Sequence, residues 1–161
     1  VGAFGSVMQK LSSKAAGRLI DKRLTATRPV LGICVGMEVM FETGMEHGIE
    51  TPGLGQWPGI VRLLDSPRFP NIGWSKVTPD SGSALFDGVE QEHFYFVHSY
   101  AVTDWELDIR PPFIPAHLTF AEHGQRFLAA VENGPLSATQ FHPEKSGEAG
   151  LKLLSNWIKS L

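Results

Sequence analysis

The chain has 161 residues, 42% of them hydrophobic, with 14 Lys and Arg against 17 Asp and Glu for a formal charge of -3. That length and apolar share suit one domain over residues 1-161 with a continuous core, and the charge balance leaves no basic stripe for phosphates, so nucleic acid is not an expected partner. No apolar run reaches the length of a membrane span, no charged-then-apolar leader pattern is present, and a single cysteine speaks against an oxidising compartment, so a cytoplasmic location is expected.

Along the chain, Val7, Leu11, Ala15 and Leu19 recur every four residues with Met8 and Ile20 beside them, predicting one amphipathic helix over residues 6 to about 24. Residues 29–33 read as a buried strand and residues 37–41 as a helix, which puts Cys34 on the turn between them. Gly32 and Gly36 suit a strand-to-helix elbow, where backbone and helix approach closely. Residues 44–59, rich in Gly and Pro, read as a loop. Strands are expected at 60–64, 73–77 and 93–100, a loop at 110–115, and strands near 117–121 and 127–131. A turn at Gly134-Pro135 then leads into a strand over 136–141, and the last helix, about 148–161, places Leu151, Leu154, Ile158 and Leu161 on one face.

A free cysteine is ordinarily a small buried hydrophobe. Here Gly32-Ile33-Cys34-Val35-Gly36 sits between a strand and a helix, the context of a nucleophile elbow. A sulfur at a helix N-terminus is expected to favour thiolate, the reactive form. Far downstream, His142 stands where a strand ends and Pro143 blocks its continuation, a position that faces the ligand crevice in an open α/β sheet. Glu144 lies two residues on, so in extended chain its carboxylate lies on the imidazole's side and can orient it. The reading is Cys34 as nucleophile, His142 as general base and acid, and Glu144 as orienter. Six histidines are present, but none forms a His-x-x-x-His pair or neighbours a second cysteine, so no metal site is expected. His98 reads as a satisfied core histidine. Trp74 and Lys145 read, from the residues alone, as a core ring and a solvated charge.

At these residues a family resemblance emerges. Gly-Ile-Cys-Val-Gly-Met with a distant His-Pro-Glu resembles the class I (triad) glutamine amidotransferases. More narrowly, Pro70-Asn71-Ile72-Gly73-Trp74, the stretch His93 through Tyr100, and Ala138 through Gly147 resemble the glutaminase subunits of imidazole glycerol phosphate synthases, and the likeness runs along essentially the whole chain. The resemblance implies an α/β, flavodoxin-like fold with an open mixed, mostly parallel sheet flanked by helices. It implies hydrolysis of glutamine to glutamate and ammonia with no prosthetic group or metal, and a (β/α)8-barrel cyclase subunit that takes the ammonia in histidine biosynthesis. The alternatives are the glutaminase of anthranilate or guanylate synthesis and a catalytically silent subunit.

The resemblance also assigns roles. It makes Gly2 and the Val35 backbone N–H the oxyanion-hole donors, Ser99 and Tyr100 binders of the glutamine head, and Trp74 and Lys145 residues that face the synthase partner. The sequence departs from the family at two places. Glu38 stands where the family has Gln against the substrate head; a carboxylate there accepts from the substrate ammonium but repels its carboxylate. The family's opening strand-helix-strand is absent from this sequence, which starts inside the following glycine-rich loop and is therefore expected to be a fragment.

Overall fold

The computed structural model describes residues 3–103, 105, 107 and 115–159. Gly2, Leu161 and residues 110–114 of the expected loop lie outside the described residues. Two helices, α1 (Phe4–Ser13) and α2 (Ala16–Thr25), stand where one was expected. The N–H groups of Lys14 and Ala15 close back onto the carbonyls of Leu11 and Ser12, Ser13 Oγ donates to Lys10 O at 2.8 Å, and Ala15 turns left-handed at φ 51°. Such tightened, side-chain-competed bonds end a helix. The break re-aims the apolar stripe: Phe4 and Met8 are buried and Ile20 and Leu24 pack on the core, whereas Leu19, assigned to the stripe, is 62% exposed.

Next come β1 (Val30–Ile33), α3 (Val35–Glu38) and β2 (Phe41–Glu46), so the helix expected over 37–41 is a single turn that gives way to a strand. The region expected to be a loop, 44–59, instead completes β2, holds β3 (Ile49–Pro52) and starts β4 (Trp57–Leu63). His47 and Gly48, at φ 52° and 77°, form the two-residue hairpin turn between β2 and β3. The chain continues through β5 (Asn71–Lys76), β6 (His93–His98), β7 (Tyr100–Ala101), β8 (His117–His123), β9 (Gln125–Asn133) and β10 (Leu136–Thr139). It ends in a 3-10 turn, Pro143–Lys145, and α4 (Gly147–Lys159).

The architecture is mixed α/β, with sheets ordered β1-β10-β9-β8 and β3-β2-β4-β7 and an antiparallel pair β5-β6. Parallel pairs are fewer than expected: among the described residues only β1 with β10 and β2 with β4 run parallel. Tight turns after β8 and β9 oblige β8, β9 and β10 to pair antiparallel, because a parallel neighbour needs a long crossover. Two apolar cores cover opposite faces of the first sheet. Leu128 and Val131 point to the core built on Met37, Phe41 and Trp57; Phe127, Ala129 and Ala130 point to the core built on Phe86, Phe94, Phe96 and Phe141. The register shift opposite Thr119 and Phe120 explains why Ala129 and Ala130, adjacent in sequence, share a face.

The elbow depends on Gly32. A Cβ there would lie 2.6 Å from the Gly36 carbonyl oxygen, whereas a Cβ on Gly36 meets nothing within 4 Å, so the close approach belongs to Gly32 alone. Gly32→Ala is expected to cost about 1–3 kcal/mol of stability and to displace Cys34. Thermal unfolding checks the first effect, and an unchanged midpoint would mean that the elbow has slack.

Candidate active site

Cys34 caps α3 at φ 53° and ψ -114°, a conformation that L side chains rarely adopt. Its own backbone holds it there. Cys34 N–H donates to Thr139 O at 2.7 Å, and the Cys34 carbonyl accepts from Met37 and Glu38. Because β1 and β10 are parallel, with Ile33 opposite Thr139, the residues that follow both strands emerge at the same sheet end. Cys34 is the first residue past β1, and His142 follows shortly after β10.

His142 Nδ1 lies 2.6 Å from Glu144 Oε1. A carboxylate only accepts, so Nδ1 carries the hydrogen and Nε2 keeps the lone pair. That Nε2 is buried and has no hydrogen-bond partner in the structure. The carboxylate reaches the ring through the 3-10 turn, not through the extended chain that the two-residue spacing suggested. The backbone of His142 is pinned as well: its N–H donates to Tyr95 O, and Ser146 Oγ donates to its carbonyl at 2.7 Å while accepting from Tyr95 N–H.

The thiol does not meet the imidazole in this state. Cys34 Sγ is directed to Val97 O at 3.9 Å. Burial pushes the thiol up to about 11, the Glu38 carboxylate adds to that, and the Val35 backbone amide opposes it. This corrects the expected bias toward thiolate. A one-turn helix carries little dipole, and desolvation of a residue that is only 3% exposed outweighs it.

Cys34, Val35, Glu38, Ser99 and Tyr100 line one cavity of about 510 Å3, together with Glu46, His47, Ile72 and His98. Glu38 is buried, and Gln140 Nε2 donates to its Oε1 at 2.8 Å. Burial raises the Glu38 carboxyl to about 7; Glu46 adds to the rise and the Gln140 bond opposes it. The sequence reading assigned no role to Gln140. No local pattern marked it: its need follows from the burial of Glu38, which requires a donor, and the two residues lie far apart in sequence.

The profile of the family described as "Glutamine amidotransferase class-I" matches residues 2–161. The chain belongs to the class I glutamine amidotransferase family. Among curated amidotransferase relatives, the chain is 59% identical over 161 residues to "Imidazole glycerol phosphate synthase subunit HisH" of Leifsonia xyli subsp. xyli, covering 100% of this chain and 77% of that protein. It is 56% identical over 162 residues to the protein of the same name in Nocardia farcinica, again covering 100% and 77%. A solved structure from Thermoplasma acidophilum, described as part of a GMP synthase, superposes with a TM-score of 0.66 at 21% identity, over 98% of this chain and 66% of that one, and supports the amidotransferase fold.

The remaining site residues lie outside the cavity. Trp74 is 55% exposed and packs edge-on against Tyr95 at 5.8 Å, so it is not a core ring. Lys145 is exposed in the 3-10 turn. Both segments are tied to Tyr95, which carries the Trp74 contact on its ring and the His142 and Ser146 bonds on its backbone.

Proposed function

We propose that this chain is the glutaminase subunit of an imidazole glycerol phosphate synthase and that Cys34, His142 and Glu144 are its triad. The observation that carries the reading is the His142 ring, held through Nδ1 by Glu144 with a buried, unpartnered Nε2 at the sheet end where Cys34 emerges. Rotation of the sulfur from Val97 O toward Nε2 starts the reaction. Cys34 attacks the glutamine amide carbon as its proton passes to Nε2, and the Val35 N–H receives the developing oxyanion. Collapse expels ammonia, which takes that proton, and leaves a γ-glutamyl thioester. His142 then takes a proton from water, the hydroxide attacks the thioester, and glutamate leaves as the proton returns to sulfur. Gly2 is assigned the second oxyanion contact, and Glu38, Ser99 and Tyr100 the amino acid head of glutamine.

The ammonia is consumed by a partner subunit, which we take to be a (β/α)8-barrel cyclase. Among the described residues no helix is long and apolar enough to cross a bilayer, and the single free cysteine suits a reducing compartment. Glutamate release by the chain alone and with the cyclase tests the reading; strong activation by the partner is expected, and failure of both samples to hydrolyse glutamine would overturn it.

Exposed Ile72, which lines the cavity, and Trp74 share one face of β5 and are assigned to the partner interface with Lys145. Trp74→Ala is expected to weaken association with the cyclase by about fivefold or more and to leave the thermal midpoint nearly unchanged. Lys145→Ala is expected to have a smaller effect. Normal association of both variants in titration calorimetry would remove this face from the interface.

A further inference from the structure

Ser99 and Tyr100 line the Cys34 cavity at a point where the chain changes sheets. β6 ends at His98, paired with β5; β7 starts at Tyr100, paired with β4; Ser99 is the single residue between them. The His98 side chain spans this junction. Its ring is buried against Phe96 and Phe127, with centroids at 5.7 and 5.0 Å. Nδ1 lies 2.9 Å from the Tyr100 carbonyl, which can only accept, so Nδ1 carries the hydrogen. Nε2 lies 2.9 Å from the Asn71 side-chain amide, which sits directly opposite in register on β5 and donates. One neutral tautomer satisfies both partners.

We propose that His98, its tautomer set by the Tyr100 carbonyl and its Nε2 held by Asn71, is a positioning residue that fixes the Ser99–Tyr100 wall against which the glutamine head is held. The bond to Tyr100 spans two residues across a sheet switch, so it defines the angle at which the chain leaves β6. Burial pushes the imidazole down to about 4, with the Tyr100 bond opposing, so the bond persists through the neutral range. The proposal rests on the glutaminase reading of the cavity.

Two substitutions separate positioning from packing. Both His98→Asn and His98→Gln remove the ring, but an Asn amide can take the place of Nδ1 whereas a Gln amide takes the place of Nε2. With the assembled synthase, His98→Gln is expected to raise the KM for glutamine about fivefold with kcat changed less than about twofold, the effect of one lost hydrogen bond. His98→Asn is expected to recover most of that affinity even though its thermal midpoint falls as far. Long-range nitrogen–proton correlations on the wild-type protein are expected to show the Nδ1–H tautomer without titration near neutrality. Equal KM increases in the two variants, an unchanged KM in His98→Gln, or an Nε2–H tautomer would each overturn the proposal. Absence of glutamine hydrolysis by the wild-type synthase would instead overturn the glutaminase reading on which it rests.

Discussion

Cys34→Ala is expected to abolish glutamine-dependent synthesis by the assembled enzyme, by about four orders of magnitude or more, while synthesis from added ammonium salt continues near the wild-type rate. The sulfur is the only heavy atom removed, and in this structure its contacts are weak ones, to Val97 O at 3.9 Å and to the Val35 backbone amide. Alanine inherits the same backbone conformation and the same Thr139 bond, so the elbow survives. The measurement is a comparison of product formation with the two nitrogen sources. Equal loss with both would make Cys34 a folding or docking residue and remove the nucleophile from the proposed mechanism.

Glu38→Gln is expected to act on both affinity and stability, and each effect has a defined pH dependence. The folded carboxyl titrates at about 7, above the ordinary 4.5, so the native state prefers it protonated. Its favourable contribution is full below about pH 4.5, is lost as pH rises through about 7, and is absent at pH 8. The difference corresponds to about 3 kcal/mol. An amide cannot ionise and keeps an oxygen for Gln140, so Glu38→Gln is expected to stabilise the protein at pH 8 and to have little effect near pH 4.5. Toward the glutamine carboxylate the protonated acid donates while the carboxylate repels, so the wild-type KM is expected to rise above pH 7. At pH 8 the Gln variant is expected to have a KM about tenfold lower. The same change removes the negative charge that, after burial, contributes most to raising the Cys34 thiol, and so brings that thiol closer to ionisation. A KM that follows the same pH profile in both proteins would take Glu38 out of the substrate site.

The elbow and the final strand–turn–helix were legible in the sequence because period changes and glycines mark them locally. β1, β10 and α4 lie within a residue or two of where patterning put them. The β2–β3 hairpin was not legible: glycine and proline between 44 and 59 suggested a loop, while the turn is made by His47 and Gly48 at positive φ and the strands are held by buried Phe41 and Trp57. The break at Ala15 was also hidden, since the four-residue apolar spacing runs through it. At the site, residue identities suggested the roles proposed for Cys34, His142 and Glu144, and they marked His98 as a core histidine, which is buried with both ring nitrogens bonded. Spacing alone could not show how deeply Cys34 and Glu38 are buried, which is why the direction of the thiol's shift was missed. Gln140 and Asn71 escaped notice because their partners lie far away in sequence.

The parallel pairing of β1 with β10 has a temporal consequence. Ile33 and Thr139 are register partners although the greater part of the chain lies between them. Closing so long a loop is entropically costly and slow compared with forming the hairpins inside it. Cys34 therefore meets the sheet end that holds its proposed base, His142, only when the last strand docks. On the proposed mechanism, a partly folded or still-growing chain carries a thiol with no imidazole to activate it, so glutamine would be spared until the domain is closed, and hydrolytic competence would become a report on completed folding.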